Sequence, residues 1–251
     1  MRTLVRTRSR RRSAKRKRRP LSGPPLAPVG RVFASVADEP TLDHDAVTRD
    51  EGPAAHVVAV IARDRRSDAD PEAHEADAAV PVADGHTGSI PYPTLTRDFH
   101  YEIELVVAIG KGGSQIAAAD AVNHIYGYAV GLDMTRRDLQ SDMKKAGRPW
   151  SIGKGFDHSA PIGPIHPRAS TGEIQKGGIT LKVNGQMRQN SDVSLLIWNV
   201  AETIEQLSKG WTLQPGDLIF TGTPAGIGPV VSGDVMEGAI DGLGTLRVAV
   251  A

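Results

Sequence analysis

From residue 90 to the C-terminus the sequence predicts a chain built mostly of β-strands, with two helices among them. Short runs of alternating polar and apolar residues recur along this stretch, and an Asn-Gly pair separates two of them. Only two segments combine a capping residue with a helix-like run. The 251 residues, 39% of them hydrophobic, are enough for one large domain with its own core. No apolar run is long enough to cross a bilayer.

The predicted strands follow one another with short connections. Asn184-Gly185 is typical of a two-residue hairpin turn, and Pro215-Gly216 is a turn that leads into the next strand. The absence of an internal repeat argues against a solenoid or propeller. Strands are predicted at residues 101–110, 128–134, 180–183, 186–188, 217–221 and 244–250.

The two helices are predicted from capping residues and stop signals. Ser114 is a capping residue ahead of a helix over 115–126. Ser191 or Asp192 has the same role for a helix that runs through 207 and is stopped by Gly210.

Charge is distributed unevenly along the chain. Residues 1–20 contain eleven Lys or Arg and no acid, so the other 19 basic residues face 29 acidic ones and carry a balance of about −10. A basic run of this kind can touch nucleic acid or anionic lipid, but we interpret residues 1–29 as a disordered, solvated tail. No apolar core follows it, as a secretory signal would require, whereas its composition is compatible with a transit peptide. The chain has no cysteine, which excludes disulfides, thiolate metal sites and a cysteine nucleophile.

Two glutamates two residues apart are the most informative feature of the sequence. Glu102 and Glu104 lie in an alternating segment, so their side chains share one face of the predicted strand beside the apolar run 105–109. Adjacent carboxylates repel unless a cation lies between them, and oxygen ligands suit Mg²⁺, Mn²⁺ or Ca²⁺. Because an isolated E-x-E pattern is common on solvated strand faces, the metal interpretation needs a third acidic residue.

Asp133 supplies that third acidic residue. It ends the apolar run 128–132 and can complete a site of three carboxylates. Arg136 and Arg137 follow it, and a guanidinium near a metal is well placed to bind a substrate carboxylate with two hydrogen bonds.

Five motifs in register resemble the fumarylacetoacetate hydrolase family, and within it the fumarylpyruvate and acylpyruvate hydrolase branch. They are Y-E-I-E-L-V-V-A-I-G, G-Y-A-V-G-L-D-M-T-R-R-D, G-R-P-W-S-I-G-K-G-F-D, L-K-V-N-G-Q-M-R-Q and P-G-D-L-I-F-T-G-T-P-A-G-I-G-P-V. The resemblance runs from about Val80 to the C-terminus. It implies an α+β fold, mostly β, with a mixed sheet or β-roll and a few helices. It divides the chain into a tail at 1–29, a poorly matching stretch at 30–79 and a catalytic domain at 80–251.

The resemblance also implies roles for individual residues. Glu102, Glu104 and Asp133 would hold Mg²⁺ (or Mn²⁺), and Lys154 would face the substrate oxygens as a catalytic residue. Three further positions would bind substrate, with Thr223 offering its hydroxyl and backbone N–H: Arg137, Gln140 and Thr223. Without the resemblance, Lys154, Arg137 and Gln140 would be read as surface residues, and the glycines around Thr223 as a tight turn.

The stretch before the catalytic domain lacks a feature that the resemblance implies. Family members carry a Gly-Arg-Asn-Tyr turn and then an H-x-x-E pair that acts as a general base on water. The third residue after each histidine of this region is never glutamate; the four pairs are His44/Val47, His56/Ala59, His74/Asp77 and His86/Ser89. Residues 34–91 contain no aromatic residue, and only 56–62 offers a strand-like apolar run, whereas residues 31–33 resemble the strand before the missing turn. A shifted reading frame of the gene and a divergent lid are two explanations for the unusual sequence of this stretch.

Three functions follow from these observations. The first is Mg²⁺-dependent hydrolysis of the C–C bond of an acylpyruvate in aromatic-compound breakdown. The second is an oxo-acid decarboxylase or tautomerase with the same metal site, which depends less on a water-activating base. The third is a non-catalytic family member. We expect a cytoplasmic homodimer that acts on a small oxo acid, with no membrane or nucleic-acid partner. A phosphate loop, a G-x-S-x-G motif and a Ser-His-Asp pattern are absent from the sequence.

Overall fold

The structure, a computed structural model, describes residues 87–251 in full and the backbones of three earlier strands, Val29–Phe33, Val60–Asp64 and Ala79–Pro81. The strands are β1 Val29–Phe33, β2 Val60–Asp64, β3 Ala79–Pro81, β4 Thr87–Ile90, β5 Phe99–Tyr101, β6 Ile103–Ile109, β7 Ile125–Leu132, β8 Thr135–Arg136, β9 Ala160–Ile162, β10 His166–Pro167, β11 Gly178–Val183, β12 Gln186–Asp192, β13 Leu218–Phe220, β14 Gly228–Pro229, β15 Val235–Ile240 and β16 Gly244–Val250. The α-helices are α1 Arg137–Lys145, α2 Ser151–Lys154, α3 Arg168–Thr171 and α4 Val200–Gly210, and two 3₁₀ helices span Ala118–His124 and Val193–Leu195.

The strands form three sheets and the helices are few, which confirms the predicted α+β, mostly β fold. The largest has the order β1-β2-β13-β6-β7-β9-β3, with β10 added beside β7. The second has the order β12-β11-β15-β16-β4, and the third is the small sheet β14-β5-β8. Strands β6 and β7 lie at the centre of the large sheet and are almost entirely buried, which explains their near-continuous apolar sequence.

The two faces of β6 pack against different parts of the molecule. Its odd-numbered residues, from Ile103 to Ile109, join the main core that fills the space beneath the second sheet. Val106 and Ala108 point the other way into a smaller apolar cluster that includes Phe220. Because strand side chains alternate, Glu102 and Glu104 share the face of this smaller cluster and lie away from the main core.

The hairpin predicted at Asn184-Gly185 is confirmed. It joins β11 to β12, and both turn residues have positive φ, 50° for Asn184 and 76° for Gly185. Positive φ at both central positions is the geometry of the turn that matches strand twist, and Asn followed by Gly adopts it at low cost.

The helix predicted over 115–126 is wrong in type and extent. The structure has a 3₁₀ helix, Ala118–His124, and Gln115 has φ 53°, which no right-handed helix contains. The backbone N–H groups of Gln115 and Ile116 donate to the carbonyl and hydroxyl of Ser208 in α4. Tertiary hydrogen bonds therefore occupy the donors of the expected first turn, and Ser114 caps nothing.

The second predicted helix begins later than expected. Residues up to Asp192 remain in β12, and Asp192 caps only the short 3₁₀ helix Val193–Leu195 by accepting from the Ser194 N–H at 2.8 Å. Helix α4 begins after Asn199, whose side chain accepts from the Glu202 N–H while the Glu202 carboxylate accepts from the Asn199 N–H. This reciprocal pair is a capping box, the stronger of the two start signals.

Strands also appear in the poorly matching N-terminal stretch. β1 covers the predicted strand at 31–33, and β2 overlaps the apolar run 56–62 and pairs with β13. The four histidines of this stretch, and most of the region expected to carry the water-activating base, lie outside the described residues. Across the part of the chain with described structure, no helix is both long and apolar enough to cross a membrane.

Candidate metal centre

Three carboxylates meet at the edge of the smaller apolar cluster. Strands β6 and β7 pair antiparallel with Ile103 opposite Leu132, which brings the end of one strand to the start of the other. The ladder is extended by the Asp133 N–H, which donates to the Glu102 carbonyl at 2.8 Å. One oxygen from each of Glu102, Glu104 and Asp133 lies within 4.8 Å of the others, and all three side chains are buried. The structure thus brings together the three residues that the sequence suggested as metal ligands.

Lys154 is a cation that contacts two of the three carboxylates and is itself only 3% exposed. Its Nζ donates to Glu102 Oε2 at 2.8 Å, to Asp133 Oδ2 at 2.6 Å and to Thr135 Oγ1 at 2.7 Å. An ammonium has three N–H donors, so all of them are engaged. Burial alone would lower the pKa of Lys154, but Asp133, Glu102 and Glu104 outweigh it and raise the pKa. Lys154 therefore stays cationic at neutral pH.

Two short helices that approach each other closely place Lys154. A Cβ on Gly153 of α2 would lie 2.9–3.0 Å from Cβ, Cα and N of Gln140 in α1, so only glycine fits at this contact. The contact fixes Lys154, the last residue of α2, beside the first residue of α1, Arg137. The local sequence S-I-G-K thus serves to bring a lysine into a buried position.

Arg137 is the second cation of the site. Its backbone N–H donates to the Asp98 carbonyl at 2.8 Å, and its guanidinium donates to Glu102 Oε1 and to the side-chain oxygen of Gln140. Its Nε is buried and has no partner. The structure therefore brings Arg137 and Gln140 together and leaves the Nε–H of the guanidinium without a partner.

The charges of the cluster do not balance. Three carboxylates face two cations, and Glu104 is the carboxylate that has no ion pair with either cation. Its Oε2 accepts from the Gly222 N–H at 2.8 Å, but its Oε1 is buried and has no partner. Burial, followed by the charges of Asp133 and Glu102, raises the pKa of Glu104 well above its usual range. A buried carboxylate oxygen with no partner is costly, and a divalent cation would satisfy it.

The pKa values of the other two carboxylates are shifted in opposite directions. Burial raises the pKa of Asp133 to about 6, although Lys154 opposes the shift. Burial would also raise the pKa of Glu102, but the charges of Lys154 and Arg137 and their hydrogen bonds hold it below its usual value. The donor set consists of carboxylate oxygens only, which fits a hard cation such as Mg²⁺ or Mn²⁺.

A glycine-rich loop after β13 covers one side of the carboxylates. Gly222 contributes the N–H that binds Glu104, and the next residue is Thr223. The Thr223 hydroxyl donates to the Ile103 carbonyl at 2.8 Å and accepts from Gln189 Nε2 at 2.9 Å. The hydroxyl proton already binds the backbone of β6 in this arrangement, so donation from this hydroxyl to substrate stays a prediction that requires the proton to change partner. The backbone N–H of Thr223 remains a candidate contact.

Sequence reasoning missed three contributors to the site. Thr135 accepts one of the three Lys154 hydrogen bonds, the Gly222 N–H binds Glu104, and Gln189 binds both Thr223 and the backbone at Ile103. All three lie inside the five motifs that resemble the family. A threonine two residues after Asp133 was a usable signal, whereas nothing local distinguishes Gln189 from the polar residues around it.

A family model matches most of the chain. The model described as fumarylacetoacetate (FAA) hydrolase C-terminal matches residues 46–251. The match begins well before Val80, where the resemblance in the sequence begins, and so includes part of the poorly matching stretch 30–79.

Curated and structural relatives agree with the family match. The fumarylpyruvate hydrolase of Ralstonia sp is 48% identical over 162 residues, which are 64% of this chain and 84% of that protein. The mitochondrial oxaloacetate tautomerase FAHD1 of Mus musculus is 41% identical over 158 residues, 63% of this chain and 72% of that protein. A crystal structure of the fumarylpyruvate hydrolase of Pseudomonas aeruginosa in complex with Mn²⁺ and pyruvate has a TM-score of 0.69 and 58% identity, over 70% of this chain and 75% of that one.

Proposed function

Since the chain belongs to the fumarylacetoacetate hydrolase family, we propose that it hydrolyses the C–C bond of an acylpyruvate of the fumarylpyruvate type. The observation that carries this proposal is the buried cluster of three carboxylates, with an unpartnered Glu104 oxygen beside two cations. The solved fumarylpyruvate hydrolase that binds Mn²⁺ and pyruvate supports it. Breakdown of aromatic compounds is the process we propose for this reaction.

Glu102, Glu104 and Asp133 are the residues that would hold Mg²⁺ or Mn²⁺. The bound ion would act as a Lewis acid on the oxygens of the 1,3-dioxo unit. Around it, the protein supplies two fixed positive charges in a site from which water is largely excluded, where such charges act most strongly.

Arg137 and Gln140 would bind the carboxylate end of the substrate. The guanidinium has an unpartnered, buried Nε–H, so it can donate to a carboxylate without giving up its hydrogen bonds to Glu102 and Gln140. Planar guanidinium donors match the two oxygens of a carboxylate. This contact would set the orientation of the dioxo acid relative to Lys154.

Lys154 would stabilise negative charge and would not remove a proton. Its raised pKa keeps it charged, so it is a poor general base at neutral pH. Because its three donors are engaged, a substrate oxygen must replace one of the present acceptors, Glu102, Asp133 or Thr135. The charge it would stabilise is that of the pyruvate enolate formed when the C–C bond breaks.

The overall reaction balances with water as the only co-reactant. Water adds to the distal acyl carbonyl, the bond between that carbon and the pyruvate methylene breaks, and the bonding pair remains on the pyruvate fragment as an enolate. The enolate takes up a proton, and the acyl fragment leaves as a carboxylic acid. The group that removes the proton from water is proposed to lie before residue 80.

A second candidate is tautomerisation or decarboxylation of an oxo acid at the same site. The 41% identity with the mouse oxaloacetate tautomerase favours it, as does the lack of an H-x-x-E pair after the four N-terminal histidines. Neither reaction needs an activated water, so both would tolerate that lack.

The two candidates are separated by product analysis. The purified full chain is incubated with fumarylpyruvate and, separately, with oxaloacetate, with Mn²⁺, with Mg²⁺ and with EDTA. Metal-dependent release of fumarate and pyruvate in equal amounts is the expected result, with Glu104→Gln as the inactive control. Enol–keto conversion or CO₂ release from oxaloacetate, without fumarate from fumarylpyruvate, would replace the first proposal by the second.

We also propose that the protein is a cytoplasmic homodimer. Light scattering during size-exclusion chromatography would give the mass directly, for comparison with 26.7 kDa for one chain. A single species of that mass would contradict the dimer.

A further inference from the structure

We propose that Gln189 is a positioning residue that holds the metal-binding strand and the Gly222–Pro224 loop in one fixed arrangement. The proposal rests on the proposed function for its chemical purpose, because the strand carries the metal ligands and the loop faces the substrate. Gln189 is the last residue of the L-K-V-N-G-Q-M-R-Q motif, and the proposed reaction assigns no role to any residue of this motif.

Gln189 is a buried polar residue in an otherwise exposed strand. Its side chain is 0% exposed, whereas β12 has no other buried residue and is the edge strand of the second sheet. A buried amide is stable only when its donors and acceptor find partners. Here all of them do, and every partner lies in one of the two segments that form the site.

The hydrogen bonds of Gln189 form a closed ring with Ile103 and Thr223. Gln189 Oε1 accepts from the Ile103 N–H at 3.0 Å, the Ile103 carbonyl accepts from the Thr223 hydroxyl at 2.8 Å, and Thr223 Oγ1 accepts from Gln189 Nε2 at 2.9 Å. The second hydrogen of Nε2 donates to the Pro224 carbonyl at 2.8 Å. Ile103 is the residue between Glu102 and Glu104, so the ring ties the peptide that joins two metal ligands to the loop.

The loop in turn binds a metal ligand directly. Gly222, next to Thr223, donates its N–H to Glu104 Oε2 at 2.8 Å. Displacement of the loop would therefore leave Glu104 without this donor as well as without a partner for Oε1. Gln189 thus acts on the carboxylates through two routes, the Ile103 peptide and the Gly222 N–H.

A bulge in β12 explains why Gln189 points inward. The pairing of β11 with β12 shifts register after Leu181, which lies opposite Gln189, so that Arg188 is the extra residue. Bulges reorient neighbouring side chains and are frequent beside functional sites. The loop approaches the bulge closely, because a Cβ on Gly226 would lie 2.2 Å from the Arg188 carbonyl oxygen; Gly226 also has φ 100°.

Tyr101 holds the far end of the same loop. Its hydroxyl donates to the Gly226 carbonyl at 3.1 Å, and a Cβ on Gly228 would lie 2.7 Å from that hydroxyl oxygen. Side chains from two different sheets therefore fix the loop at Thr223–Pro224 and at Gly226. This arrangement is a preformed wall of the site, and Gln189 is the part of it that reaches the metal ligands.

The test compares Gln189→Met and Gln189→Glu with Ser208→Ala. Met keeps the volume and removes all three hydrogen bonds of the Gln189 side chain, whereas Glu keeps the shape and removes both donors. Ser208 is also buried and also links two segments, through the Ile116 N–H and the Glu205 carbonyl, but it contacts no site residue. It therefore controls for general loss of stability.

Three measurements are made on the full chain: Mn²⁺ affinity by calorimetry, pyruvate affinity in the presence of saturating Mn²⁺, and hydrogen exchange of the loop amides without metal. Residues that orient metal ligands typically contribute about 10–100-fold to metal affinity. We expect both Gln189 variants to weaken Mn²⁺ binding by about tenfold or more and to speed exchange at Gly222 and Thr223. Ser208→Ala should lower the melting temperature and leave both affinities unchanged.

Unchanged Mn²⁺ affinity in both Gln189 variants, or an equal loss in Ser208→Ala, would overturn the proposal. If one Gln189 variant fails to fold, the other decides, and if neither folds Gln189 is a residue of general stability and the proposal is wrong. None of the measurements needs turnover. A wild-type protein that binds Mn²⁺ but releases no fumarate refutes the hydrolase proposal and leaves the role of Gln189 standing.

Discussion

Lys154 Nζ lies 2.6 Å from Asp133 Oδ2, and both side chains are buried. This ion pair joins a helix residue to the end of a strand 21 positions earlier in the chain. It neutralises part of the carboxylate cluster but not Glu104, which keeps a buried oxygen without a partner. The site therefore combines a lysine that stabilises the cluster with a buried carboxylate oxygen that a divalent cation would neutralise.

Removal of the charge of Glu104 should abolish metal binding and stabilise the metal-free protein. Glu104→Gln keeps the acceptor for the Gly222 N–H and removes a buried, unpaired carboxylate. We expect a higher melting temperature than wild type without metal, and no further rise with Mn²⁺. For wild type, Mn²⁺ at about 100 times its dissociation constant should add about 2.7 kcal/mol.

Glu237→Gln is the matched control for this experiment. Glu237 lies on β15 and pairs with Arg247 at 3.4 Å, outside the site. Its change should leave the Mn²⁺ effect intact. A Glu104→Gln protein that responds to Mn²⁺ as wild type does would remove Glu104 from the set of ligands.

Stabilisation by metal should decrease as the pH falls through about 6. The pKa of Asp133 is about 6 in the folded protein against 3.8 as its ordinary value, so between these values the folded state binds more protons than the unfolded state. The metal-free protein therefore gains stability from this group as the pH falls from 6 to 4, and the raised pKa of Glu104 acts in the same direction. Metal binding requires both groups to be ionised and must lose affinity over the same range.

Melting curves with and without Mn²⁺ from pH 5.0 to 7.5 check this prediction. The difference between the two curves should be largest at pH 7.5 and small at pH 5.0. A difference that does not change with pH would mean that neither carboxylate titrates with metal binding.

Loss of Lys154 should destabilise the metal-free protein strongly. Lys154→Met removes the partner of two buried carboxylates, and breaking a buried ion pair in this way costs about 3–5 kcal/mol. Mn²⁺ should restore more stability to this variant than to wild type, because the ion can neutralise the same oxygens. Urea unfolding with and without Mn²⁺ measures both effects.

Lys145→Met serves as the control for Lys154. The Lys145 side chain is 80% exposed, and its Nζ lies 4.0 Å from Asp142 Oδ1, which makes a weak surface ion pair. Its removal should therefore leave the unfolding midpoint unchanged. Equal midpoints for wild type and Lys154→Met would show that Lys154 does not hold the cluster together.

Arg137→Lys should affect substrate binding more than metal binding. Lysine cannot reproduce the fork of donors that contacts Glu102 and Gln140 and leaves Nε–H available. We expect pyruvate to inhibit the enzyme about tenfold more weakly, which is the effect of losing one hydrogen bond to a charged group. The affinity for Mn²⁺ should be nearly unchanged. Arg247→Lys is the control, and weaker Mn²⁺ binding without a change in pyruvate inhibition would contradict the assigned role.

A restored general base should raise hydrolysis. If residues 34–79 lack the base, acylpyruvate hydrolysis should be weak even with the metal and Lys154 in place. A segment with Gly-Arg-Asn-Tyr followed by H-x-x-E, placed between Phe33 and Val80, should raise kcat by about 10²–10⁴-fold. The same segment with A-x-x-E is the control, and full activity of the unmodified chain would identify another base, such as His44 or His56.

The sequence alone determined the strands near the site and the chemical character of its residues. The predicted strand at 244–250 coincides with β16, and the strands at 101–110, 128–134 and 217–221 overlap β6, β7 and β13. Strand alternation is local, so it can be read from a few neighbouring residues. It placed Glu102 and Glu104 on one face, and the residue types alone indicated oxygen ligands for a hard cation.

Only the tertiary structure decided what meets those residues. Asp133 reaches Glu102 because β6 and β7 pair in one register, and Lys154 reaches both because Gly153 lets two helices touch. The predicted first helix failed because Ser208, about 90 residues later, binds its donors. Gln189 was invisible for the same reason, since its partners lie 86 and 34 residues away. Hydrogen bonds between segments so distant depend on the packing of whole sheets, which no local pattern records.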